Sequence, residues 1–154
     1  MLGRRSATSV LVAVAVPLAM VVAVGCAKSI NYAYDPSANF GQLRRYAWGP
    51  GSPPYSPNSL VEANVQAIAN PLLEKKGFVK VTATPDLVIG IRLDNYPIGT
   101  PASYEVRFLD LSVYRADGNT LMWRGTASGS ISTDAASNDL RNVVQGILAA
   151  FPPG

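Results

Sequence analysis

Leu87-Val88-Ile89-Gly90-Ile91-Arg92-Leu93 and Leu109-Asp110-Leu111-Ser112-Val113 decide the fold. In both stretches apolar residues recur at every second position, the period of a strand with one dry face. Leu87, Ile89, Ile91 and Leu93 share one face of the first, leaving Gly90 and Arg92 on a wetter one. In the second, which runs from about Tyr104 to Arg115, Leu109, Leu111 and Val113 alternate with Phe108, Asp110, Ser112 and Tyr114. The alternation predicts that Asp110 faces solvent. Asp117-Gly118, with Asn119 behind it, marks a hairpin turn. The return strand starts at Leu121-Met122-Trp123-Arg124 and continues through small residues to Ile131. Glycines there weaken a strand unless something packs closely over it.

A helix is the natural cover. Leu140, Val144, Ile147 and Phe151 recur at helical spacing, and Pro152-Pro153 ends the run. An earlier helix carries Val61, Val65, Ile68 and Leu72 on one face. Ser59 and Glu62 have capping-box spacing at its start, and Lys75, Lys76 and Gly77 suit its end. Pro71 removes one backbone donor and is expected to kink the last turns. Ile30 to Tyr34, Arg45 to Trp48 and Phe78 to Val81 read as further strands. Two proline- and glycine-rich loops, Gly49 to Pro57 and Tyr96 to Pro101, interrupt the pattern. The order predicts an α+β fold: a two-layer sandwich in which a mostly antiparallel sheet of about five to six strands carries two helices on one face.

The N-terminus is of another kind. Val10 to Val24 is uncharged and apolar, Arg4 and Arg5 precede it, and Gly25-Cys26 follows. A basic start, an apolar centre and a small residue at the cut describe a secretory signal over residues 1–25, with one domain over 26–154. The alternative is an uncleaved membrane helix, since Ser9 to Ala27 almost reaches the roughly 20 apolar residues that a span needs. Ala23-Val24-Gly25-Cys26 resembles the lipobox of bacterial lipoproteins, although Ala23 stands where Leu is usual. That resemblance implies acylation of Cys26 and attachment to a membrane through it. Lys28, rather than Asp, lies two positions later, which by the same resemblance implies the periplasmic side of the outer membrane. Cys26 is the only cysteine, so no intrachain disulfide is possible. Removing Arg4 and Arg5 from the 13 basic residues leaves 11 against 10 acidic ones, a nearly neutral domain. Without a clustered basic face, nucleic acid is not an expected partner.

The remainder resembles the DUF4136 family of bacterial envelope lipoproteins. The residues that carry the likeness are Tyr34-Asp35, Phe40, Tyr46-Ala47-Trp48, Lys76-Gly77-Phe78 and Pro85-Asp86-Leu87-Val88-Ile89. Leu109-Asp110-Leu111, Asp117-Gly118, Leu121-Met122-Trp123-Arg124-Gly125 and Phe151-Pro152-Pro153 complete it. The family is uncharacterised, so the resemblance implies location and fold rather than activity.

The chain has no histidine, which excludes Ser-His-Asp and Cys-His catalysis and histidine metal sites. No nucleophile elbow, P-loop or dinucleotide fingerprint occurs, so neither catalysis nor a cofactor is expected. The expected role is a noncatalytic binding or assembly component, with an envelope protein as its partner. Two surfaces are open to such a role. Tyr55 and Tyr96 on the two loops would rim a pocket for a small apolar ligand, whereas Phe108, Tyr114, Trp123 and Arg124 would form a flat patch on the sheet. Trp48 and Trp123 read better as core or sheet-flank aromatics than as parts of a ligand cage. Asp86, following a proline, reads as a turn residue.

Overall fold

The computed structural model describes residues 28–54, 56–97, 104–134 and 137–153. The strands are β1 (Ser29–Tyr34), β2 (Arg45–Trp48), β3 (Val79–Lys80), β4 (Leu87–Pro97), β5 (Tyr104–Arg115) and β6 (Thr120–Ser132). The helices are α1 (Pro57–Lys75), between β2 and β3, and α2 (Asp139–Ala149), after β6. The strands form one sheet in the order β1-β6-β5-β4-β2-β3. Pairing is antiparallel from β1 to β4, while β2 runs parallel to both β4 and β3. The expected α+β architecture is present. The strand expected over Phe78 to Val81 contracts to two residues at an edge, with the Phe78 ring buried in the core.

Alternation explains the sheet. Leu87, Ile89, Leu109, Leu111 and Val113 are all buried on the face that the helices cover. α1 presents Val61, Val65, Ala69 and Leu73 to this layer, with Ile68 and Leu72 only partly buried beside them. The stripe is thus centred on Ala69 and Leu73, one step around the helix from the larger side chains that suggested it. α2 contributes Leu140, Val143, Val144, Ile147 and Leu148.

The start of α1 differs from the capping-box reading. Ser56 is the N-cap, its Oγ accepting from Ser59 N at 3.2 Å, and proline occupies the first turn. Glu62 therefore lies beyond capping reach. It is buried and accepts instead from Ser52 N at 2.8 Å and Ser52 Oγ at 2.6 Å, tying the proline-rich loop to the helix. At the far end Gly77 takes a φ of +84°, and Phe78 N donates to Leu73 O across the helix terminus. The helix continues through Pro71, which is exposed, as is Ala67, whose carbonyl loses its intrahelical donor there.

β2 is locked to α1 by one amide. Asn70 Oδ1 accepts from Tyr46 OH at 2.9 Å and from Trp48 Nε1 at 3.0 Å, and the two rings meet edge to face. Burial and then the Glu74 carboxylate raise the Tyr46 pKa, which favours the neutral phenol that donates here.

At the other end of the layer, Phe151 fills the centre of an aromatic cluster. Its ring centroid lies 5.4 Å from that of Phe40, 5.1 Å from Phe78 and 5.1 Å from Trp123. Those rings come from the β1–β2 connection, the end of α1 and β6. Gly125 makes room for them. A Cβ on Gly125 would stand 2.4 Å from Trp123 Cη2 and 2.5 Å from Ile147 Cγ2, far inside contact distance. The small residues of β6 thus admit the indole and α2 together.

Two substitutions test this core. Phe151→Ala is expected to lower unfolding free energy by about 3–5 kcal/mol, because the cavity would be walled by rings held from three other segments. Gly125→Ala is expected to cost about 1–3 kcal/mol through overpacking. Denaturant melts would measure both, and an unchanged midpoint for Gly125→Ala would mean that the indole does not lie over that backbone.

Candidate functional site

No helix among the described residues covers the second face of the sheet. β-Alternation places Arg92 on β4, Phe108, Asp110, Ser112 and Tyr114 on β5, and Arg124 on β6 on this side. The register sets Arg92 directly opposite Asp110 and Ser112 opposite Arg124. Arg92, Asp110, Ser112, Tyr114 and Arg124 surround a cleft of about 300 Å³, lined also by Gly90, Ile91 and Leu121.

Asp110 does not face solvent. It is only 3% exposed, and this corrects the reading from alternation. The alternation assigned its face correctly, but the neighbouring side chains close over it. Ser112 Oγ donates to Asp110 Oδ1 at 2.6 Å, and Arg124 Nε donates to Oδ2. Arg92 Nη2 lies 3.9 Å from Oδ2, and its guanidinium stands 5.8 Å over the Phe108 ring. A buried carboxylate needs such partners, since burial without them is strongly unfavourable. The two arginines are not equivalent. The Arg92 side chain is 68% exposed and the Arg124 side chain 38%.

Arg124 also borders a second groove of about 270 Å³ shared with Asn31, Tyr32, Ala33, Phe108 and Thr126. Its guanidinium is the wall between the two depressions. The face can therefore offer hydrogen-bond donors, one buried acceptor and two aromatic rings, a combination suited to recognition of another molecule. Among the described residues no group of three or more His, Cys, Asp or Glu side chains could hold a metal ion.

Phe108, Tyr114 and Arg124 are brought together as a patch. Trp123 is not among them: it is fully buried on the opposite face, in the aromatic cluster. The physical reason is a bulge. Counting back from the turn pairs Arg115 with Thr120 and Tyr114 with Leu121, but the register then shifts, pairing Val113 with Trp123. One extra residue on β6 sends the indole inward and Arg124 outward. Cys26 and Tyr55 lie outside the described residues. The Tyr96 backbone pairs with Glu105 on β5, while its side chain lies outside them too. Arg92 and Ser112 were absent from the sequence-based patch. Their alternating positions were readable, but their meeting at Asp110 depends on the cross-strand register.

Asp86 has a structural role. Its Oδ2 accepts from Arg44 N at 3.0 Å and Arg45 N at 2.8 Å, and its own N–H donates to Arg45 O at 2.8 Å. The carboxylate thus clamps the start of β2 beside the start of β4. The Arg45 backbone hydrogen bond is the largest influence lowering its pKa.

Residues 30–153 match the family described as "Domain of unknown function (DUF4136)". No curated protein matches the chain. Among solved structures, the chain is similar to the PelC dodecamer from Paraburkholderia phytofirmans at 12% identity and a TM-score of 0.57, over 80% of this chain and 96% of that one. A DUF4136 family protein from Bacteroides thetaiotaomicron gives 12% identity and a TM-score of 0.57, over 80% and 94%. A PDZ domain protein from Parabacteroides distasonis gives 15% identity and a TM-score of 0.60, over 82% of this chain but 36% of that one. At these identities the likeness is one of fold.

Arg124→Met is expected to cost about 2–3 kcal/mol, because it strips the direct donor from a buried carboxylate. Arg92→Met, at an exposed position beyond hydrogen-bond distance, should stay within about 1 kcal/mol. Urea melts compare them, and equal losses would show that Asp110 does not distinguish its two arginines. The Asp86 clamp gives a pH signature. Its folded pKa lies below the unfolded value of about 3.9, so its stabilisation is complete above that value and lost as pH falls through the folded pKa. Asp86→Asn is expected to lower the neutral-pH Tm and flatten the acid limb of a Tm-against-pH profile below about pH 4. Parallel acid limbs would detach the clamp from acid unfolding.

Proposed function

The chain belongs to the DUF4136 family, and on that premise we propose that it is a noncatalytic component of the bacterial cell envelope, held by a lipid on Cys26 and binding an envelope protein through the open face of its sheet. The observation that carries the binding role is the arrangement of Arg92, Arg124, Phe108 and Tyr114 around the buried Asp110 carboxylate. Tyrosine and arginine contribute disproportionately at protein interfaces, and a buried acceptor holds Arg124 in position before a partner arrives.

If Cys26 carries the lipid, its tether to the domain is short. Lys28 Nζ forms a 2.6 Å salt bridge with Asp139 Oδ1 at the start of α2, and β1 begins at the next residue. A folded domain that starts two residues after a lipidated cysteine has almost no tether and would rest against the bilayer surface. More than one acyl chain makes attachment stable, at about 0.8 kcal/mol per buried methylene. No helix among the described residues is long and apolar enough to cross a membrane. The periplasmic face of the outer membrane is the location that Lys28 favours in this reading. The absence of histidine and of any nucleophile motif supports a noncatalytic role.

Cys26→Ser in the full-length chain is expected to abolish acylation and move the protein out of the membrane fraction. Retention as strong as before would mean that residues before Cys26 span the bilayer instead. For the binding face, a photocrosslinker at Tyr114 in intact membranes is expected to trap an envelope protein. One at Leu60, exposed on α1, is expected to trap none. Equal trapping at both positions removes the open face as the binding surface.

A further inference from the structure

The two edges of the sheet are built differently. One ends in β3, only two residues long, with a lysine at Lys80. A short, charged edge is poorly suited to pair with another strand. The other edge is β1, six residues, Ser29-Ile30-Asn31-Tyr32-Ala33-Tyr34, with no charge and no proline. Its register with β6 runs without a shift from Ser29 to Tyr34, so no bulge turns the edge aside. Among the described residues none of the usual protections against strand addition is present on β1.

This strand is also where apolar surface collects. Among the described residues six large hydrophobic side chains are exposed, and Ile30, Tyr32 and Tyr34 are three of them. All three lie on the face of the sheet that carries the helices, since they pair with Ala127, Gly125 and Trp123. Tyr32 is 58% exposed. The backbone faces the same way out. Asp35 N donates to Met122 O at 3.0 Å, so by the two-residue period the N–H and C=O groups of Ser29, Asn31 and Ala33 point toward β6. Those of Ile30, Tyr32 and Tyr34 point away from the sheet, with no strand beyond them among the described residues.

We propose that β1 is a self-pairing seam: a second copy of this chain docks there, strand antiparallel to strand, with Tyr32 opposite the partner's Tyr32. A second copy is favoured because β1 is complementary to itself. A two-fold axis along the sheet normal keeps both helix layers on one side, and it requires paired residues to come from the same face. Centring it on Tyr32 sets Ile30 opposite the partner's Tyr34. Each outward-facing residue then meets another outward-facing one, so that the pairs exchange backbone hydrogen bonds. Aromatic–aromatic and aromatic–β-branched pairs of this kind stabilise antiparallel ladders, and no like charges meet. The result is one sheet continuous across both copies. The seam is separate from the Arg92–Asp110–Arg124 face and does not depend on acylation, although two-dimensional confinement on a membrane would raise its occupancy.

Cysteine crosslinking of the full-length chain tests the register. Opposed residues in a hydrogen-bonded antiparallel pair have Cα atoms about 5.5 Å apart, within disulfide reach. Tyr32→Cys, oxidised in membranes, is therefore expected to give a homodimer band on a non-reducing gel, above the baseline of the wild-type chain with Cys26 alone. Ile30→Cys and Tyr34→Cys, each singly, would place their thiols' Cα atoms more than about 13 Å apart along the seam and should stay near that baseline. Adding Tyr32→Pro to a chain with Ile30→Cys and Tyr34→Cys is expected to abolish the dimer that this double variant otherwise forms. The proline removes an outward N–H while sparing the ladder to β6. Equal crosslinking at residues 30, 32 and 34, no dimer at 32, or a band containing a different protein each overturns the proposal.

Discussion

Four segments far apart in sequence meet at the ring of Phe151. Phe40 arrives from the connection after β1, Phe78 from the end of α1, Trp123 from the middle of β6, and Phe151 itself from the residue beyond α2 and its cap. Arg44 extends the cluster outward, its guanidinium 5.4 Å over the Phe78 ring. Rings at these separations interact beyond simple burial. The contact also fixes geometry, because α2 can end over the sheet only if Gly125 yields room for the indole and for Ile147 at once. The packing of one layer of helices on one face of the sheet follows from this point.

That concentration of apolar contact on one side determines what the other side can be. A six-stranded sheet with both helices on one face leaves the opposite face of its central strands without a cover among the described residues. The residues there cannot be a simple solvated array, since Asp110 sits among side chains long enough to enclose it. Arg124, Ser112 and Arg92 convert what would be an isolated buried charge into an ordered network. Rigidity on this face comes from the carboxylate, just as rigidity on the helix face comes from Phe151. The two meet at adjacent residues of β6, Trp123 pointing into one and Arg124 into the other.

Much of this was legible in the sequence, and the exceptions share a cause. Leu87, Ile89, Leu109, Leu111 and Val113 announce their common face by period alone, and so do Val65 and Ile147 by helical spacing. Strand alternation is local information, and the core is built from it. Trp123 fits its core reading and not the surface patch, because the extra residue on β6 opposite the Val113–Tyr114 step is recorded by no local pattern, and a single residue reverses every side chain beyond it. Asp110 was assigned the right face and the wrong environment, because its enclosure comes from β4 and β6. The Ser59–Glu62 spacing matched a capping box, yet a proline in the first turn had already set the start at Ser56, and Glu62 was left to bind Ser52. The Asn70 amide shared by Tyr46 and Trp48 lies in a helix that offers no sign of it. Apart from the local cap at Ser56, what escaped the sequence was a contact between elements.

The pairing of β1 with β6 has a bearing on the order in which this molecule comes into being. Ser29 lies opposite Ser128 and Tyr34 opposite Trp123, so the first strand made finds its place only against nearly the last. A chain that emerges N-terminus first must carry those six residues unpaired while α1 and the β4–β5 ladder become available behind them. Contacts of such sequence separation close late, since the intervening loop must first be ordered. The sheet is therefore sealed where β1 meets β6, and Lys28 with Asp139 is the latch that engages beside that contact.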